Sequence, residues 1–193
     1  MDVWIAKGVV LVAAIAMVVL RAPHGHRSRS VPVAKSRKGR LEVALLVVMW
    51  ISFFLPIAWI AAPWFSAADF PLRPAPLAVG VALLALGLWL FHRSHVDLGR
   101  HWSITLELRE KHELVQSGLY RSVRHPMYTA LLLYGVGQAL VLPNWIAGPS
   151  YLVAMVLLVA VRVGPEERMM IEQFGDDYHA YARRTKRLIP GIW

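Results

Sequence analysis

Cysteine is absent from the chain. That absence excludes disulfides, thiol nucleophiles, cysteine-ligated metals, iron–sulfur clusters and palmitoylation of the chain itself. Acidic residues are scarce: 12 Asp and Glu stand against 21 Lys and Arg, for a formal charge of +9. Internal repeats and low-complexity tracts are lacking as well. What fills the sequence instead is apolar, with 57% of the 193 residues hydrophobic and a mean hydropathy of +0.48. That is too apolar for an ordinary soluble domain of this length.

A membrane crossing takes about 17–25 mostly apolar residues. The sequence is read as five spans, at 3–20, 41–62, 76–91, 127–142 and 145–161. The last two are separated only by Pro143-Asn144, which predicts a tight helical hairpin. The first span is read as an anchor rather than a signal peptide. Lys7 makes a thin positive region, and Arg21 and a basic loop follow where a small-residue cleavage site would stand.

The charged residues sort by loop. Residues 21–40 hold seven Lys or Arg and no acid, 93–124 hold six, and the end from Arg162 onward holds six more; only Lys7 and Arg73 fall elsewhere. The positive-inside rule then predicts an N-terminus outside and three basic regions in the cytoplasm. Orientation and anionic headgroups account for the net charge. A nucleic-acid binder would interleave basic and aromatic residues on one soluble surface, so no nucleic-acid partner is expected.

Residues 1–92 read as a three-span anchor and scaffold, with Pro56 expected to kink the second span and Pro63, Pro71, Pro74 and Pro76 stiffening the outer loop. Residues 93–193 read as the catalytic region, one integrated domain with the first part. The composition turns polar at Arg93, and the next thirty or so residues carry four of the eight histidines. Within them Thr105-Leu106-Glu107-Leu108 alternates polar and apolar, as a short strand or an extended piece, and Gly118 marks a turn. Gly164-Pro165-Glu166-Glu167 reads as a helix start with proline in the first turn and acids at the positive end of the dipole. That helix is expected to run to Phe174 with Gly175 as its cap, followed by a shorter basic helix and an irregular tail.

Three constellations carry possible chemistry. His92, His95, His101, His112 and His125 invite comparison with membrane di-iron enzymes, but such sites need several boxes on facing helices completed by carboxylates, and only one pair here is close in sequence. No metal is expected. In Arg124-His125-Pro126-Met127-Tyr128, proline in a first helical turn holds the preceding residue extended, so His125 projects above the fourth span; the alternative is a helix start with interfacial anchors. Arg162 follows the apolar run VAMVLLVAV, where an arginine either snorkels to the headgroups or faces a polar cavity. Glu166 lies four residues on, and helicity continuing through Pro165 would put the two on one face, holding each other or two ends of a zwitterionic ligand.

The ordered series His112-Glu-Leu-Val115, Gly118, Tyr120, Arg124-His125-Pro126-Met127-Tyr128, Asn144-Trp145, Arg162, Glu166-Glu167, Phe174-Gly175-Asp-Asp-Tyr178 and Leu188-Ile-Pro190 resembles the isoprenylcysteine carboxyl methyltransferase family, from about His92 to the end. The resemblance implies an all-α integral membrane enzyme of five transmembrane helices that uses S-adenosylmethionine. The cytoplasmic loop and C-terminal helices would form the cofactor pocket. Carried over, the cofactor residues are His112, Leu114, Val115, Tyr120, His125, Pro126, Met127, Tyr128 and Glu166. Arg162 takes the place of the arginine that meets the substrate carboxylate, and Arg162 and Glu166 form the catalytic pair. Where some members carry a glutamine, seven residues before His112, this chain has Thr105.

Methyl transfer from a sulfonium is an in-line displacement in which the protein supplies alignment and a dry setting. A carboxylate of pKa about 3.5 is already a nucleophile at neutral pH, so Arg162 is assigned orientation rather than activation. Glu166 would offset the cofactor's positive charge or take its ribose hydroxyls. The implied partners are membrane lipids and a lipophilic small molecule or prenylated peptide entering from the bilayer. Two other readings stand beside this one: a phospholipid amine or small-thiol methyltransferase of the same architecture, and a non-catalytic lipid-binding protein in which the same residues anchor helix ends.

Overall fold

In hydrocarbon a backbone must satisfy its own polar groups, and a helix does so within one segment. The long apolar runs are accordingly helical in the computed structural model, which describes residues 2–29, 33–36, 39–99, 107–109 and 114–192. The helices are α1 (Val3–Arg29), α2 (Arg40–Ala61), α3 (Pro74–Leu98), α4 (Pro126–Val141), α5 (Ser150–Phe174) and α6 (Asp176–Arg184). α1, α2 and α3 are long and apolar enough to cross a membrane, and α4 is a shorter apolar helix. Val12, Val19, Leu41 and Ile51 point outward from α1 and α2, a waste of apolar surface in water but the ordinary outer face of a membrane helix.

Two short strands, β1 (Val33–Ser36) and β2 (Glu107–Arg109), add an antiparallel ladder between the two basic connectors, with Val33 opposite Arg109. The extended piece expected near Thr105 therefore begins at Glu107 among the described residues, and Thr105 itself lies outside them.

The helices alternate in direction between two poles. At one, Lys7 near the start of α1 donates to the Ile60 carbonyl at the end of α2 at 3.3 Å, and the Phe70 amide ahead of α3 bonds the Pro143 carbonyl at 3.0 Å. Asn144 ties this pole together. Its amide donates to Phe65 O at 2.8 Å and Asp69 Oδ1 at 2.6 Å, while its Oδ1 accepts from the Ile146 and Ala147 amides. Trp59 donates to the same Asp69 oxygen at 2.8 Å. These bonds corrected the expected start of the last span: residues 145–149 are turn rather than helix, because Asn144 takes up the amides that a helix beginning at Trp145 would have directed elsewhere.

The core is built on close backbone approach. A Cβ on Gly87 of α3 would fall 2.9 Å from the Tyr134 amide, and one on Gly137 of α4 would fall 2.8 Å from the Leu84 amide. Small residues let two apolar helices touch where no hydrophobic drive separates helix from lipid. Ala6, Val10, Ala13, Leu84, Phe91, Ala130 and Tyr134 complete this cluster, and a second one, Met155, Leu158, Val159, Val163 and Leu188, leads toward the other pole.

Candidate active site

The second pole gathers charged side chains. α4 starts at Pro126, whose ring costs nothing there because the first-turn amides have no intrahelical acceptor. His125 precedes it with φ −125° and ψ 57° and is buried, its ring stacked on Tyr128 at a centroid distance of 5.5 Å and 16° between planes. The expected projection above α4 is thus inward, toward the acids of α5.

α5 runs without interruption from Ser150 to Phe174 through Pro165, which corrected the expected helix start at Gly164–Glu166. Proline removes one helical amide, but Arg162, Val163, Glu167 and Met169 all turn into the protein, and the contacts of Glu167 hold the second half in line. Gly175 ends the helix with φ 53°, as its sequence position predicts.

Continuity through Pro165 brings Arg162 and Glu166 onto one face. Arg162 Nε lies 3.9 Å from Glu166 Oε2, and that oxygen accepts the Tyr128 hydroxyl at 2.5 Å. The other Glu166 oxygen is 3.9 Å from His125 Nδ1. Arg162 is 8% exposed and its Nε has no hydrogen-bond partner. On its other side Arg162 Nη1 lies 3.7 Å from Oε1 of Glu42, on α2.

The neighbouring acid, Glu167, serves the scaffold. Oε1 accepts from Arg124 Nε at 2.8 Å and lies 3.4 Å from His125 Nε2; Oε2 accepts from Arg187 at 2.9 and 3.1 Å. Burial works to raise its pKa, but the hydrogen bonds from His125, Arg187 and Arg124 outweigh it and hold the carboxyl at about 2. Arg124 also donates to the Ala182 and Thr185 carbonyls at 3.1 and 2.5 Å. The Arg124 and His125 amides bond the Lys186 and Arg187 carbonyls at 2.7 and 2.9 Å. The C-terminal segment is thereby strapped across the start of α4.

Tyr120 is buried on a 3-10 turn (Gly118–Arg121). Its phenol is pushed above the ordinary tyrosine range by burial first and by the charge of Glu166 second. Asp97 at the end of α3 holds that turn, accepting from the Leu119 amide at 2.9 Å. A Cβ on Gly118, at φ 59°, would fall 2.3 Å from the same carboxylate, so no other residue fits. Leu114 and Val115 are half-buried and lead into the turn. Pro126 is fully buried, and Met127 is half-buried against the core. His112 lies outside the described residues.

Of the residues singled out in the sequence, Arg162, Glu166, His125 and Tyr128 therefore meet, with Tyr120 in the field of Glu166. Glu42 was missed. It is the one acid between Asp2 and Asp69, and an ionisable group at the mouth of an apolar span is the signal that would have found it. His95, considered for a metal, instead donates from Nδ1 to the Phe91 carbonyl at 2.8 Å inside the α3 packing.

Comparison with known proteins follows the same residues. The family model for the isoprenylcysteine carboxyl methyltransferase (ICMT) family matches residues 77–172. Protein-S-isoprenylcysteine O-methyltransferase B of Arabidopsis thaliana is 31% identical over 115 residues, 58% of this chain and 58% of the relative. The Schizosaccharomyces pombe protein-S-isoprenylcysteine O-methyltransferase is 30% identical over 114 residues, 58% of this chain and 48% of that one. The matched part thus spans about half to three fifths of these relatives' length. The solved structure of the eukaryotic intramembrane Ras methyltransferase ICMT superposes with a TM-score of 0.55 at 25% identity, over 81% of this chain and 54% of that one. With three spanning-length apolar helices, the chain is an integral membrane protein, and through residues 77–172 it belongs to the isoprenylcysteine carboxyl methyltransferase family.

Proposed function

We propose that the protein is an S-adenosylmethionine-dependent methyltransferase that esterifies the carboxylate of a lipophilic acceptor, such as a C-terminal isoprenylcysteine, at the cytoplasmic face of the membrane. The observation that carries this reading is Arg162: a buried guanidinium at the end of an apolar run, with an Nε that no protein group hydrogen-bonds. Buried donors left without partners are rare in finished cores and mark places where a ligand completes the bonding.

The residues suit the cofactor. Leu114, Val115, Tyr120, His125, Pro126, Met127 and Tyr128 form a partly apolar wall, and Glu166 adds a carboxylate that is 31% exposed at the side-chain level. His112 is assigned to the same wall by its sequence position. When bound, S-adenosylmethionine supplies an electrophilic methyl on a sulfonium. Glu166 offsets that positive charge or accepts from ribose hydroxyls, with Tyr128 fixing its Oε2. Arg162 meets the acceptor carboxylate in a two-point contact that directs one oxygen at the methyl. No general base is required, since the acceptor is ionised at neutral pH.

The finer architecture belongs to the same proposal: five spans with a hairpin of α4 and α5, the N-terminus outside, residues 1–92 as scaffold and 93–193 as catalytic region. Its support is the alternation of helix directions and the collection of Lys and Arg at the pole that holds Arg162. Glu42 favours a second reading, because a phospholipid amine would be drawn to an added carboxylate. Purified protein is incubated with methyl-labelled S-adenosylmethionine and either farnesylcysteine, phosphatidylethanolamine or an alkyl thiol. Base-labile label on farnesylcysteine is expected, falling about a hundredfold or more in Arg162→Ala with thermal melting in detergent unchanged. Label confined to the amine or thiol, or full turnover by the variant, would overturn the reading.

A further inference from the structure

Glu42 is not explained by its helix. An acid in the first turn of α2 interacts well with the dipole, but that benefit is available at the surface, whereas Glu42 is 7% exposed. Burying a carboxylate is unfavourable unless a charge partner accompanies it, and here the partner is Arg162 at 3.7 Å. Glu166 stands on the other side of the same guanidinium at 3.9 Å. Both contacts are ion pairs longer than hydrogen bonds. Counted formally, two carboxylates and one guanidinium leave this cluster at −1.

That arrangement has two physical consequences. The guanidinium is held from α2 and α5 before any acceptor arrives, so its orientation does not have to be organised during the reaction. Its pull on an incoming anion is also damped, because each nearby carboxylate opposes added negative charge. A bare buried guanidinium would bind a carboxylate tightly in the ground state, and binding that is not stronger in the transition state gives no rate. The geometry points to Glu42 as a positioning and specificity residue. Resting on the assignment of Arg162 to the acceptor carboxylate, it fixes that side chain and sets the site's charge so that a lipophilic monoanion is accepted and a dianion is rejected. α2 is then part of the site rather than scaffold alone.

The test reads ligand binding without cofactor. Detergent-purified protein is titrated by calorimetry with decanoate and with decyl phosphate at pH 8, where the phosphate carries mostly two charges. Parent protein is expected to bind decanoate about tenfold more tightly than decyl phosphate. Glu42→Gln, nearly the same shape without the charge, should tighten decanoate about threefold and the phosphate more, narrowing the gap. Glu42→Asp, which keeps the charge, should keep the parent's discrimination. With cofactor and farnesylcysteine present, Glu42→Gln should lower KM and kcat together, a split that loss of packing alone does not produce. If decanoate binding depends on Arg162 but is unchanged or weaker in Glu42→Gln, or if Glu42→Asp behaves as Glu42→Gln does, the role given to Glu42 is wrong while that of Arg162 stands. If parent binds no decanoate, or binds it equally in Arg162→Ala, the acceptor assignment fails and this proposal with it.

Discussion

Replacing Glu167 by Gln tests the scaffold of the site at its most heavily bonded point. The carboxylate receives Arg124 and Arg187 and faces His125, and its side chain is only 10% exposed. A carboxyl moved from an ordinary 4.5 to about 2 stabilises the folded protein at pH 7 by about 3 kcal/mol. Removing one partner of a buried ion pair costs a similar amount, about 3–5 kcal/mol. For a chain of this size that corresponds to a fall in Tm of roughly 6–15 °C. The sign with pH follows from the depressed pKa: the contribution is complete above 4.5 and is lost as pH falls toward 2. Thermal melting of parent and Glu167→Gln in the same detergent should therefore differ at pH 7 and converge as the pH is lowered through 4.5 toward 2. Melting curves that coincide at pH 7, or a gap of constant size down to pH 3, would show that the two arginines do not hold the carboxylate as the distances imply.

Three further outcomes are expected. Tyr128→Phe removes the hydroxyl that Glu166 accepts at 2.5 Å; a hydrogen bond to a charged group contributes about 1.5–3 kcal/mol, so calorimetry should show S-adenosylmethionine binding weakened about tenfold or more with melting little changed. Gly118→Ala forces a side chain into a φ of 59° and against Asp97, and should cost about 1–3 kcal/mol, read as a lower melting temperature together with weaker cofactor binding. Gly87→Ala pushes a methyl to 2.9 Å from the Tyr134 amide and should lower stability by about 1–3 kcal/mol, with cofactor affinity per folded molecule preserved because the change lies far from Glu166.

The elements whose signals are local were legible without the fold. α2 and α3 begin and end within a few residues of their apolar runs, and Gly175 stops α5 where its neighbours lead one to expect. The starts of α4 and α6 follow from Pro126 and from the acids Asp176 and Asp177. The errors came where a side chain distant in sequence intervened. Asn144, bonded to Phe65 and Asp69, delayed α5. Glu167, bonded to Arg124 and Arg187, kept the same helix straight through a proline that local rules treat as a boundary.

Composition and periodicity by themselves determined that the chain lives among lipids, which segments are helical, and that Arg162 and Glu166 share a helical face if the helix continues. They also carried the family resemblance. Only the tertiary structure decided that the helix does continue, that of two adjacent acids Glu166 faces Tyr128 and Arg162 while Glu167 ties down the C-terminal segment, and that Glu42, 120 residues earlier in the chain, reaches the same guanidinium. The physical reason is that helix formation depends on neighbours within a few residues, whereas the balance of charge around a buried group depends on whichever helices are packed against it.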